Sequence, residues 1–387
     1  MEVSRVKRKN LFILFAVLAS LVLVLAACGG GDNNNDNNNN DNTNVENNNN
    51  NDNNNNDGNV AEGDSDFKVA MVTDVGGVDD KSFNQSAWEG LQAWGEEHGL
   101  EEKENFDYAQ SDDDADYLPN LNSLVRDEFD LIFGIGYLLE PAVEEIAQNN
   151  PDTYFSIVDA VVEEDNVASI TFADNESSFL VGVAAALKTE TDKLGFVGGV
   201  ESDIITAFDV GFYAGVKSIN PDIEIDIQYA EAFDAADKGK LIASQMYNND
   251  IDIIFHASGD TGNGVFSEAK DIKNSDPDRE IWVIGVDQDQ YEEGQIGDYN
   301  VTLTSALKRV DNAVQQVSNM AMDGDFPGGE VLAFDLSDEG VGYATTNEDA
   351  LTSDIIEEME EWKEKIINGE VDVPSTQEEL EEYLESL

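Results

Sequence analysis

Thr73-Asp74-Val75-Gly76-Gly77-Val78-Asp79-Asp80-Lys81-Ser82-Phe83-Asn84-Gln85-Ser86 lies between two runs of different character. Before it stands the apolar, strand-like run Val69-Ala70-Met71-Val72. After it, Phe83, Ala87, Gly90, Leu91 and Trp94 recur at helical spacing, so the stretch reads as a loop leading from a strand into a helix. Open α/β sheets bind ligands at such loops, at the carboxyl ends of strands and beside helix N-termini. Gly76-Gly77 allows a tight turn and Ser82 is placed to cap the helix. Asp74, Asn84 and Phe83 offer a carboxylate, an amide and an aromatic face, which suit a polar ring compound. The same residues would also serve a capped surface turn with Phe83 packed into the core.

Outward from this loop, apolar strand-like runs alternate with amphipathic ones. Strands are expected at 68–73, 130–136, 154–158, 167–172, 194–198, 223–229, 251–257 and 281–286, and helical patterns at 140–148, 178–188, 204–219, 238–247 and 263–273. That alternation implies an α/β protein with parallel sheets flanked by helices. Two sheets, one on each side of about residue 174, would make two lobes with a ligand between them and a hinge to close them.

Further segments carry a resemblance. Asp74 to Gln85 resembles the signature of the basic membrane protein family, substrate-binding lipoproteins for purine nucleosides. Similar segments follow in order at Phe255 to Phe266, Val283 to Asp287 and Leu303 to Asp311, spread over residues 67–345. The resemblance implies a type I periplasmic binding protein fold. The first lobe would be 67–174 plus about 289–325, the second 175–288 plus about 326–348. Residues 349–387 are acidic with helical spacing and read as terminal helices with little part in binding.

The resemblance also implies a site. Phe83 and Phe208 would stack on the two faces of the base, with Phe212 as an alternate to Phe208 that reads equally as core. Asp159 would meet the polar edge of the base, Asp287 and Lys308 would hold the ribose, and Asp74, Asn84 and Asp260 would complete the shell. The segment around Phe208 departs from the family where Pro and Arg are common. Such a receptor would work as a monomer, without cofactor, handing its ligand to an ABC permease with a cytoplasmic ATPase. A sugar or autoinducer receptor of the same fold would want Trp and Arg in place of Phe and Lys. A sensor that signals without transport is a further alternative. A surface nucleoside hydrolase would need a metal or a general acid near the glycosidic bond, and its typical aspartate cluster is not evident.

Ahead of the folded part, Arg5, Lys7, Arg8 and Lys9 precede an apolar run from Leu11 to Ala27, the layout of a secretory signal. Leu25-Ala26-Ala27-Cys28 resembles a lipobox, so residues 1–27 are expected to be removed and Cys28, the single cysteine, to take a lipid. The basic region has no twin-arginine pair, which favours the general secretory route. Localisation is then expected at the extracellular face of the cell membrane. Residues 28–66 are Asn- and Asp-rich with almost nothing apolar to bury, a disordered tether with a reach of about 30–35 Å.

The formal net charge is −63, with 83 acidic residues against 20 basic ones. Self-repulsion on this scale is relieved where salt cuts the Debye length to about 3 Å, and we expect an acidic surface adapted to high salt. The same charge excludes nucleic acid as a partner. His98 and His256 lack the company a zinc site requires, Gly259 to Gly264 lacks the Lys-Ser/Thr of a phosphate loop, and Asp112, Asp114 and Asp116 lack the Gly and Glu of a calcium loop.

Overall fold

The computed structural model describes residues 66–387. The expected signal, Cys28 and nearly all of the tether lie outside them. The chain alternates from the start: β1 (Val69–Val72), α1 (Phe83–His98), β2 (Phe106–Ala109), α2 (Tyr117–Arg126), β3 (Leu131–Ile135), α3 (Glu140–Asn149), β4 (Tyr154–Val158) and β5 (Val167–Phe172). The pattern repeats with α4 (Asp174–Lys188), β6 (Lys193–Gly198), α5 (Asp203–Ile219), β7 (Glu224–Tyr229), α6 (Ala236–Asn248), β8 (Ile253–Ala257), α7 (Thr261–Ser275) and β9 (Trp282–Asp287). A small hairpin of β10 (Gln295–Ile296) and β11 (Tyr299–Asn300) precedes β12 (Thr302–Lys308), α8 (Val310–Met322), β13 (Val331–Phe334), β14 (Val341–Tyr343), α9 (Ser353–Ile367) and α10 (Gln377–Ser386).

Two six-stranded sheets result, in the orders β13-β5-β4-β3-β1-β2 and β14-β12-β9-β8-β6-β7. The first is wholly parallel, and the second is parallel except for β14 on β12. Helices cover both faces, so the central strands are buried throughout: every residue of β1, β3 and β8 is buried, which is why they read as unbroken apolar runs. In each sheet the strand order reverses at the first strand, β1 between β2 and β3, β6 between β7 and β8. Loops leaving β1 and β6 therefore open at switch points, where crevices form.

The return segments divide differently from the expected boundaries. Within 289–325, β12 belongs to the second sheet, because its small, buried residues extend the parallel ladder from β9. The chain crosses only after Lys308, and α8 then packs Val310, Val314 and Val317 into the first lobe's core. Its approach to α1 needs Gly90, where a Cβ would stand 2.3 Å from the Asp311 carbonyl oxygen. Within 326–348, β13 joins the first sheet beside β5, and only β14 joins the second. Three chain crossings thus lie together. The Ala173 N–H donates to the Phe334 carbonyl at 2.8 Å and the Arg309 N–H to the Gly340 carbonyl at 2.9 Å.

The acidic C-terminal segment forms α9 and α10, which cover α4 and α5 of the second lobe. Trp362 meets the Phe179 ring at 5.2 Å, and Thr376 with Glu379 makes a capping box at the start of α10. No residue of these helices lines the cavity described next.

Candidate ligand-binding site

The loop after β1 is built around two carboxylates. Asp80 is buried and accepts the backbone N–H groups of Ser82, Asn84 and Gln85 at 2.9–3.1 Å, together with the Asn84 side-chain amide at 3.0 Å. Asp80 therefore caps α1, and the expected cap, Ser82, makes no side-chain capping bond. The Ser82 hydroxyl instead donates across the cleft to the Asp287 carboxylate, since Asp80 has already satisfied the helix's free N–H groups. Asp74 accepts from the Gly76 N–H at 2.9 Å and the Asn84 side-chain amide at 2.7 Å, while its own N–H donates to the Asn84 side-chain Oδ1 at 3.2 Å. Of the two glycines, Gly77 takes the left-handed conformation, φ +73°.

This loop forms one side of a cavity between the lobes, with about 530 Å³ of empty space that includes open solvent. From the first lobe come Asp74, Asp80, Phe83, Asn84, Gly136, Tyr137 and Asp159. The second contributes Ile204, Ile205, Phe208, Phe233, Ala257, Ser258, Gly259, Val286, Asp287 and Lys308. Seven of the eight expected ligand residues thus meet on one space. The exception is Asp260, at the start of α7, whose carboxylate accepts from the Asn263 side-chain amide at 2.9 Å and does not line the cavity. Phe212 is core, its ring 5.3 Å from that of Phe255.

Lys308 occupies the centre, 1% exposed. Its ammonium donates to Asp159 at 2.7 Å and to Asp174 at 3.0 Å. It also lies 5.3 Å from the Phe83 ring centroid, 5.5 Å from Phe208 and 5.2 Å from Phe172, close enough for cation–π attraction. Burial alone would lower the Lys308 pKa, but Asp159, Asp174 and Asp287 outweigh it and the net shift is upward, so the amine stays charged. Asp159 follows β4 and Asp287 ends β9, both in left-handed backbone, φ +66° and +64°, a conformation that costs a non-glycine residue energy and recurs at functional sites.

One ammonium cannot balance all the surrounding acids. Burial pushes Asp74 up to about 6 and Asp287 up to about 7, the latter opposed by Lys308 and by the Ser82 hydroxyl. Asp174 is also raised, again chiefly by burial. Asp159 and Asp174 each keep one buried oxygen without a hydrogen-bond partner. The cavity therefore offers apolar ring faces, carboxylates that accept hydrogen bonds and the Lys308 ammonium as a charged donor.

Sequence reading missed Asp174, the second anchor of Lys308, which stands 134 positions away in the first turn of α4. It missed the cavity-lining pair Tyr137 and Phe233 as well, which meet edge to face across the lobes at 6.5 Å. Neither carries a local signal beyond being an acid after a strand or an aromatic residue in a loop. His256 is a packed histidine, its pKa lowered to about 4 by burial. His98 meets the Asn319 side-chain oxygen at 2.7 Å, far from the cavity. Among the described residues no group of three or more His, Cys, Asp or Glu side chains is arranged to hold a metal, and no helix is long and apolar enough to cross a membrane.

Relatives agree with this architecture. A protein from Listeria monocytogenes serovar 1/2a named CD4+ T-cell-stimulating antigen is 52% identical over 316 residues, covering 80% of this chain and 88% of that one. A Lactococcus lactis subsp. cremoris protein named ABC transporter nucleoside-binding protein BmpA is 46% identical over 318 residues, covering 80% and 90%. Among solved structures, an ABC transporter solute-binding protein from Aeropyrum pernix K1 superposes with a TM-score of 0.72 at 26% identity, covering 83% of this chain and 98% of that one. The family model for PnrA-like ABC transporter substrate-binding proteins, Bmp, matches residues 67–377. The chain belongs to this Bmp family, whose members are substrate-binding proteins of ABC transporters and not enzymes.

Proposed function

We propose that the protein captures purine nucleosides outside the cell and delivers them to the permease of an ABC importer, held to the membrane by lipid on Cys28. The observation that carries this reading is the pair Phe83 and Phe208, from opposite lobes, facing one cavity whose polar groups are Asp74, Asn84, Asp159, Asp287 and Lys308. A purine has two apolar faces, a polar edge with N–H donors, and a ribose with vicinal hydroxyls. Phe83 and Phe208 stack on the faces, Asp159 accepts from the edge, and Asp287 with Lys308 brackets the hydroxyls through charge-assisted bonds. The Lactococcus relative named as nucleoside-binding supports the ligand class.

Calorimetric titration at multimolar salt with inosine, guanosine, adenosine, free ribose and hypoxanthine tests the reading. Saturable binding of a nucleoside, tighter than of its base or sugar alone, is expected. Binding of a sugar without any nucleoside response would refute it. Intact mass of the membrane-extracted protein tests the anchor: a chain beginning at Cys28 with added acyl mass is expected, and an unmodified Cys28 would contradict it.

A further inference from the structure

Between the lobes lies a second set of contacts, whose three donors do not line the cavity. Three successive carbonyl oxygens of the first-lobe loop, those of Asp80, Lys81 and Ser82, each accept a side-chain amide from the second lobe. Asn263 donates to Asp80 at 3.1 Å, Gln290 to Lys81 at 2.7 Å and Gln288 to Ser82 at 3.1 Å. Lys81 adopts the left-handed conformation, φ +63°, in the middle of this run of accepting carbonyls. Each donor is itself held or placed: Asn263 by the Asp260 carboxylate, Gln290 by bonds to the Val286 N–H and the Ser305 hydroxyl, both 3.0 Å, and Gln288 by following Asp287 in sequence.

From this geometry we infer that Asn263, Gln288 and Gln290 are positioning residues, a clamp that holds the loop carrying Phe83 and Asn84 against the second lobe. The inference rests on the nucleoside reading for its ligand but not for its mechanics. The clamped loop runs straight into Phe83 at the first position of α1, so gripping its carbonyls fixes where that ring stands. Amide-to-carbonyl bonds between lobes exist only when the lobes meet, so they favour the closed form without favouring any ligand chemistry. Breaking them should speed opening and leave encounter with the ligand nearly untouched, so the change falls on dissociation.

The test uses the full chain with Gln288→Ala and Asn263→Ala, singly and together, and Gln290→Glu, which keeps the oxygen that accepts from Val286. Chase of labelled inosine should show dissociation about five- to fifty-fold faster in the double variant, with association within about three-fold of wild type. Ligand-free unfolding should change far less than the release rate does. Gln288→Glu, nearly isosteric but repelled by the Ser82 carbonyl, should release faster than Gln288→Ala. Unchanged dissociation, or a loss of ligand-free stability that accounts for the whole effect, would overturn the clamp. If the wild-type chain bound no nucleoside, the functional reading alone would fail. Hydrogen exchange over residues 80–86 then reads the clamp directly: faster exchange in the double variant supports it, and equal exchange refutes it.

Discussion

Replacing Lys308 with Met tests the electrostatic design of the site. The ammonium is buried and bonded to Asp159 at 2.7 Å and Asp174 at 3.0 Å, with Asp287 also within its field. Removing one partner of a buried charge set costs about 3–5 kcal/mol because the remaining charges stay buried and unpaired. With an unfolding entropy near 0.7 kcal/mol/K for the roughly 320 folded residues, that is a fall in melting temperature of about 4–7 °C. The cost should depend on pH. Lys308 has a folded pKa above its unfolded value, so its contribution is complete below about pH 10.5 and does not vary between pH 5 and 8. The acids do vary: Asp174 and Asp287 have raised folded pKa values and can take up protons as pH falls. At pH 5 a proton replaces the missing ammonium, and the loss should shrink to about 1–2 kcal/mol. The assay is denaturant unfolding followed by circular dichroism at fixed multimolar salt. Adding Asp174→Asn should recover part of the loss at pH 8. A loss below about 1 kcal/mol at pH 8, or an equal loss at both pH values, would refute the reasoning.

Three further outcomes are expected. Phe83→Ala should weaken inosine binding by about 1–3 kcal/mol, the range for an aromatic ring stacked on a base; unchanged affinity in a calorimetric titration would remove the stacking role. The wild-type protein should lose stability as pH rises from about 4 to about 7 at fixed salt, because Asp74 and Asp287 are protonated in the fold where the unfolded chain has released the proton. At about 1.4 kcal/mol per pH unit their contributions are on the order of 3 and 4 kcal/mol. An Asp74→Asn, Asp287→Asn double variant should flatten that slope, and a slope unchanged by it would contradict the assignment. Finally, the melting temperature should rise from low to multimolar salt as the repulsion among 83 acids is screened; a flat or falling curve would count against an acidic surface adapted to salt.

Strands buried on both faces announce themselves as apolar runs, so β1, β3, β4, β6 and β8 were legible in the sequence, and with them the loop from Asp74 to Gln85. The edge strand β2, Phe-Asp-Tyr-Ala among acids, is neither apolar throughout nor long, and no periodicity marks it. Assignment of β12 and β13 to opposite sheets is decided where the chain crosses the hinge, a tertiary choice that leaves no local pattern. Ser82 looked like a helix cap because local chemistry permits it; a carboxylate two residues earlier took that role, and the hydroxyl bonds a residue 205 positions away. Asp174 was out of reach for the same reason, since only folding brings it to Lys308. The scarcity of cations, by contrast, was a usable signal. Lys217, Lys238, Lys270, Lys273 and Arg279 each donate to a backbone carbonyl, a task no acid can perform, and Lys308 lines the cavity.

The most direct measurement is a structure of the protein crystallised with inosine. The account predicts the base sandwiched between Phe83 and Phe208, its polar edge at Asp159, and the ribose hydroxyls within hydrogen-bond reach of Asp287 and Lys308. Inosine bound outside this cavity, or inside it with the base clear of both rings, would contradict the account.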